Sequence, residues 1–298
     1  MRHEHDHARA ASSRALAVAL VLTASYTVIE VVGGVVAGSL ALLADAVHML
    51  SDNVALGLAL VAAWLAMKPS TAERTFGYKR AEVLAALANG VLLVALAIWI
   101  FVEAAMRLRD PGDVRGGWML VIAFVGMVVN VAAGLVLSRA RDDSLNVEAA
   151  FRHVFADLLG SFGVAVAALV ILATDWVEAD PLVSILIGVL VLASAWTILR
   201  DSTAILLEST PRGVDAAALG RRVASAPGVV EVHDLHVWTI TSGFPALSAH
   251  VLVRPGEDCH ARRRELEQLL RDEFGIEHTT LQVDHAGEGG LVEMGRFG

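Results

Sequence analysis

His48-Met49-Leu50-Ser51-Asp52 and His153-Val154-Phe155-Ala156-Asp157 repeat one spacing inside two long apolar runs of a 298-residue chain. A helix sets residues i and i+4 on one face, so each run presents an imidazole beside a carboxylate. Two such helices supply two nitrogens and two oxygens, a donor set that suits tetrahedral zinc. Ionisable groups inside a membrane span are costly and face a pathway or a partner. Two matched pairs therefore point to a divalent metal crossing a bilayer.

Composition leads to the same place. With 56% hydrophobic residues, 18% charged residues and a mean hydropathy of +0.61, the chain is too apolar for a soluble globular protein. Runs long enough to span a bilayer, about 20 residues, occur six times: Ala15 to Val36, Leu40 to Met67, Val83 to Leu108, Trp118 to Leu137, Ala149 to Ala173 and Leu182 to Leu199. Six spans put both termini on one side. Arg2, Arg9, Arg14, Lys68, Arg74, Lys79, Arg80, Arg139, Arg141 and Arg200 fall on that side, against Arg107, Arg109 and Arg115 opposite, so both termini are expected to be cytoplasmic. The polar, His-rich stretch from Met1 to Arg14 is no secretory signal. The single cysteine, Cys259, forms no internal disulfide framework and suits a reducing compartment.

After Glu208 the chain mixes charge with short apolar runs, following a linker at Ser209-Thr210-Pro211-Arg212-Gly213. Val214 to Ser225 reads as a helix, Val229 to Ile240 and Ala246 to Val253 as strands, Asp258 to Phe274 as a helix and Thr279 to Asp284 as a strand. This order suits a small α+β ferredoxin-like domain of the metallochaperone type. Thirteen acids and nine basic residues after Ser209 give a net charge of −4, which excludes nucleic acid as a partner. The expected organisation is a His-rich cytoplasmic tail over 1–13, a six-helix transmembrane domain over 14–208, a cytoplasmic αββαβ domain over 209–286 and a flexible tail over 287–298.

Four stretches carry a family resemblance. They are Ser39 through Asp52 with Asp45 and His48, Phe76-Gly77-Tyr78-Lys79-Arg80 through Glu82 to Asn89-Gly90, His153 through Ser161, and Val232-His233-Asp234-Leu235-His236-Val237-Trp238. Together they resemble the cation diffusion facilitator family in its zinc-exporting branch, from about Ser13 to Asp284. The resemblance implies a six-span homodimer of the bacterial plasma membrane that exchanges cytoplasmic zinc for protons, with cadmium or cobalt as further cargo. Zinc is then substrate and regulatory ligand, with no cofactor and no enzymatic activity. It also implies transport-site ligands at His48, Asp52, His153 and Asp157, His48 pointing to zinc because branches handling manganese or iron carry carboxylate there. In the cytoplasmic domain it places metal ligands at His233, His250 and Asp284, while Gln282 occupies a position that is histidine in some relatives. The loop from Lys68 to Lys79 holds no histidine, so the second site of some bacterial relatives is expected to be absent.

Metal and proton compete for the same lone pairs, so one site can couple two gradients. Asp45, one turn before His48, reads either as an acceptor orienting that imidazole or as a structural or gating group. Glu30 and Glu103 read as solvated carboxylates near the outer ends, and Asn89 and Asn130 as bridges between helices. The tract His3, His5, His7 reads as a weak metal collector at most. His233 and His236, an odd number apart, would point to opposite faces of a regular strand. Two other functions compete: a non-transporting membrane metal sensor, and an intramembrane metalloenzyme. The second is disfavoured because two pairs fill all four positions of a zinc shell and leave none for a reacting water.

Overall fold

The computed structural model describes residues 2–138 and 145–287. The chain divides into two compact units, one from Met1–Ala59 and Ala88–Leu199, the other from Leu60–Leu87 and Arg200–Gly298.

The first unit is built from long helices: α1 (Arg2–Ala37), α2 (Leu40–Ala66), α3 (Ala81–Arg109), α4 (Gly116–Ser138), α5 (Leu145–Thr174) and α6 (Ala179–Leu206). Among the described residues, α1 from Leu16 onward and α3 to α6 are long and apolar enough to cross a membrane. The remaining helix, α2, has 27 residues with Asp45, His48 and Asp52 in its first half. Each lies within a few residues of an expected span, except that α1 begins at Arg2. Ala8, Ala10 and Ala11 are strong helix formers, which extends the helix through the expected tail. The side chains of His3, His5 and His7 lie outside the described residues, as do 288–298.

Small residues let the helices approach. A Cβ at Gly126 of α4 would collide with the Tyr26 hydroxyl of α1, so only glycine admits that ring, which is buried. The core shared by α2 to α6 is correspondingly alanine-rich, with Ala41, Ala97, Ala123, Ala168 and Ala195 all buried.

At one end of the bundle the start of α2 is capped from a distant helix. Asp180, in the first turn of α6, accepts from the Leu40 amide at 2.8 Å, the Ala41 amide at 3.1 Å and the Ser39 hydroxyl at 2.5 Å. Ser39 Oγ in turn accepts from the Leu42 amide at 3.2 Å. These groups have no intrahelical partner, and lipid offers none. Arg107 of α3 closes the corner, donating to Gly38 O at 2.5 Å and to Glu103 at 3.0 Å, with Asp180 at 3.9 Å. Glu103 is therefore half-buried in an ion pair, where the sequence suggested a solvated carboxylate.

The second unit holds the carboxy-terminal domain in the order α7 (Ala216–Ala224), β1 (Val229–Thr241), β2 (Phe244–Val253), α8 (Cys259–Phe274) and β3 (His278–His285). The expected αββαβ order is present, with boundaries within about two residues. β1 and β2 form an antiparallel hairpin closed by Ser242-Gly243, and β3 pairs parallel to β2 after the α8 crossover. Asp215 caps α7 and Asp258 caps α8, while Gly275 ends α8 in the left-handed conformation that glycine permits. Leu219, Val223, Leu266 and Leu270 of the helices pack on Leu247, Ala249, Val251 and Leu281 of the sheet. The opposite sheet face is mixed: it carries His236, Ser248 and His250 but also the register partners Trp238 and Ala246, the latter fully buried.

Within this unit the segment linking α2 and α3 meets the sheet. Glu82 accepts from Thr241 at 2.8 Å, Lys79 lies 3.9 Å over the Phe244 ring, and His278 stands between Phe76 and Phe244 with ring centroids 5.8 and 5.4 Å away. Arg80 pairs with Glu208 at 2.9 Å.

Candidate functional site

The matched pairs of α2 and α5 face each other. His48 Nε2 lies 3.8 Å from Asp52 Oδ2 and 4.0 Å from Asp157 Oδ1, and His153 Nε2 lies 3.1 Å from Asp52 Oδ2 and 3.7 Å from Asp157 Oδ2. The two imidazole rings sit edge to face at 6.1 Å between centroids. Zinc with ligands at about 2.0–2.2 Å in tetrahedral geometry spaces its donors roughly 3.3–3.6 Å apart. The four donors thus stand close to that spacing, slightly opened. Among the described residues, no group of three or more His, Cys, Asp or Glu side chains stands in an arrangement that could hold a metal ion as it is.

Orphaned polar atoms mark the same place. His48 Nδ1 and Asp157 Oδ1 are buried without a hydrogen-bond partner, and Asp52 Oδ2 has only His153 Nε2 at 3.1 Å beside it. Buried polar groups normally have one. A cation between the carboxylates would satisfy both oxygens and relieve their mutual repulsion. The cluster borders a cavity of about 390 Å³ lined by Leu16, Leu20, Met49, Leu137, His153 and Asp157. Its lining comes from the middle of α1, the end of α4 and the α2 and α5 segments that carry the four side chains.

Asparagines tie the surrounding helices as expected. Ser51 of α2 donates to Asn89 of α3 at 3.2 Å, and Asn130 of α4 donates to Ser161 of α5 at 3.5 Å. Asp45 follows the second of its two readings, a structural one, and Glu30 departs from its expectation. Asp45 does not orient His48, whose Nδ1 has no partner; its carboxylate instead lies against Gly160, where any Cβ would stand 3.0 Å from Oδ1. Glu30 is not solvated but fully buried, accepting from the Tyr26 hydroxyl at 3.0 Å. Distance from the helix end misled here, because α1 packs tightly on α4 at that depth. Asp180 was assigned no structural role from sequence; its signal was an acid directly before Pro181 in a first helical turn, two residues after Glu178.

In the carboxy-terminal domain His233 and His250 are register partners with rings 5.4 Å apart, and His233 Nδ1 is buried without a hydrogen bond. His250 pairs with Gln282 and Leu252 with Asp284, so Asp284 stands one strand repeat along the same face, held by Gln282 at 2.8 Å. The alternation argument against His236 fails. His233 pairs with His250 but His236 pairs with Ser248, a register shift of one extra residue. The bulge is at Asp234, with φ of 52°, a left-handed conformation that aspartate tolerates. His233 and His236 consequently share the face opposite the core, while Val232, Leu235 and Val237 share the core.

A helical membrane bundle carrying paired imidazoles and carboxylates within its helices, joined to an αββαβ domain, defines a multi-pass cation transporter. The chain belongs to the cation efflux, or cation diffusion facilitator, family: residues 16–207 match the cation efflux transmembrane domain, and residues 211–286 match the cation efflux protein cytoplasmic domain. It is 42% identical over 288 residues to the metal cation efflux system protein CzcD of Cupriavidus metallidurans, covering 95% of this chain and 90% of that one. It is 42% identical over 292 residues to the zinc transporter ZitB of Escherichia coli, covering 96% and 93%. Against the cadmium, cobalt and zinc/H(+)-K(+) antiporter of Bacillus subtilis the identity is 39% over 288 residues, covering 94% and 91%.

Proposed function

We propose that this transporter exports Zn²⁺ from the cytoplasm of a bacterial cell in exchange for protons, binding the ion between His48, Asp52, His153 and Asp157. The observation that carries the reading is the convergence of these four side chains from two helices at 3.1–4.0 Å, beside a cavity. The relatives named for zinc, cadmium and cobalt support both cargo and exchange. Zinc needs neutral imidazoles and ionised carboxylates, so loading releases protons and protonation expels the metal. With both termini cytoplasmic, zinc loads from the end of the bundle where α1 begins. Export then requires an alternate arrangement open at the Asp180 end.

The cytoplasmic domain serves regulation and homodimerisation. His233, His250 and Asp284, with His236 on the same face, offer a second zinc site outside the membrane. Metal held there crosses nothing, and it stabilises the compact dimer as cytoplasmic zinc rises. Purified protein in vesicles with an imposed pH gradient tests the proposal against a panel of metals. Zinc accumulation that needs the gradient and disappears in Asp157→Ala is expected. Wild-type flux from that variant, or zinc uptake indifferent to the gradient, overturns it.

A further inference from the structure

Asp180 is a costlier group than a helix cap requires. It is an acid with no exposed surface in the first turn of α6, in a setting where an ionisable side chain is expensive and points to function. Capping alone does not call for it. Ser39, also fully buried, precedes α2 and already accepts from the Leu42 amide, as an N-cap serine does. Asp180 adds a grip from another helix: its Oδ2 takes the Leu40 amide, while Oδ1 takes the Ala41 amide and the Ser39 hydroxyl.

Successive residues lie about 100° apart around a helix axis. Two amides held by the two oxygens of one planar carboxylate therefore fix the rotation of α2 as well as its height. The apolar residues that follow, Ala41, Leu42, Ala44 and Ala46, are buried and mostly alanine, and methyl groups make shallow ridges that resist turning poorly. The carboxylate is itself held. Ser184 donates to the Asp180 carbonyl at 2.7 Å, and Arg107 stands 3.9 Å from Oδ2 while donating to Gly38 O and Glu103. The turn before α2 is pressed on the loop after α3: Gly38 has a φ of 68°, a Cβ there would stand 2.6 Å from Asp113 O, and the Arg115 amide donates to Ala37 O at 2.8 Å.

The ligands on α2 inherit this anchor. His48 and Asp52 follow Leu40 by eight and twelve residues, roughly 12 and 18 Å at the helical rise. A donor carried about 5–6 Å from the axis moves by roughly 2 Å when the helix turns by about 20°. That displacement is large beside the 3.1 Å between Asp52 Oδ2 and His153 Nε2 of α5.

We propose that Asp180 is a positioning residue of the transport site, setting the rotation of α2 so that His48 and Asp52 meet His153 and Asp157 at the spacing zinc needs. This rests on the transport-site reading above. Asp180 acts through the α2 backbone rather than on the ion.

The experiment measures the zinc-concentration dependence of transport by full-length protein in vesicles with an imposed pH gradient, with cadmium as a second cargo. Loss of a group that orients ligands costs about 10–100-fold in metal affinity, so Asp180→Ala is expected to raise KM for zinc by about tenfold or more. The rise is smaller for cadmium, a larger ion that tolerates a wider shell. Asp180→Asn keeps one accepting oxygen and is expected to lie between Asp180→Ala and the unaltered protein; Ser39→Ala leaves both amide bonds and changes KM least. A role confined to stability reduces the amount of working transporter, so Vmax falls while KM and the zinc-to-cadmium ratio stay fixed. Either quantity unmoved in Asp180→Ala overturns the proposal, and if that variant fails to insert, Asp180→Asn decides by the same two quantities. Asp157→Ala separates the two claims. Normal transport from it sinks the transport-site reading; its loss of transport beside an unmoved KM in the Asp180 variants sinks the positioning role alone.

Discussion

His153 Nε2 on α5 lies 3.1 Å from Asp52 Oδ2 on α2, nearer than the 3.7 Å to Asp157 Oδ2 on its own helix. The repeat legible within each helix is therefore closed across the two helices. A cation held by these four groups would depend on the separation of α2 and α5. That is the physical handle by which a conformational change can release the ion.

Removing one ligand should be close to complete in effect. Changes in groups that merely orient ligands cost about 10–100-fold in metal affinity, so Asp52→Ala and Asp157→Ala should each lose at least that much. Vesicle flux at background, with insertion and dimerisation retained on size-exclusion chromatography, is the expected pair of observations.

His48→Asp exchanges a borderline nitrogen for a hard oxygen. Zinc discrimination should weaken, with a relative gain for manganese or cadmium, because affinity trends alone do not set selectivity and ligand type does. Competition among metals in the same vesicles reads this directly; an unchanged order would place selectivity elsewhere.

His250→Ala and Asp157→Ala should differ in kind. The first removes the partner of His233 in the cytoplasmic domain, so zinc-dependent thermal stabilisation shrinks and transport falls partially, most at low zinc. The second abolishes transport. Equal loss of transport in both, with intact membrane domains, would contradict the division of labour.

Acid should unfasten the cytoplasmic helices first at their caps. Amides of Ala218 and Ala217 hold the Asp215 carboxyl below its ordinary range, and those of Ala261 and His260 do the same for Asp258. A depressed folded value means that the stabilisation is present above the unfolded pKa of about 3.9 and is lost as pH falls through the folded value. Hydrogen exchange at His260 and Ala261 should be faster in Asp258→Ala at neutral pH. The difference from the unaltered protein should fade below about pH 4.

Helix identity and the four-residue cluster were legible because period, length and the His-x-x-x-Asp spacing are local properties. The αββαβ order was legible for the same reason. What sequence could not yield depends on partners far along the chain. The fate of Glu30 was decided by Tyr26 and by Gly126 on α4, and that of Asp45 by Gly160 on α5. The face of His236 turned on one extra residue at Asp234, and parity arguments fail wherever a bulge intervenes.

The cap on α2 has a consequence for biogenesis. Its acceptor, Asp180, is 140 residues downstream of the Leu40 amide it satisfies. Helices enter the membrane in the order of synthesis, so α2 must wait, with its first amides unpaired or watered, until α6 arrives. Assembly of this bundle is accordingly completed by its last helix, and a chain halted after α5 should hold α2 only loosely, its leading turn open to exchange and to quality-control proteases.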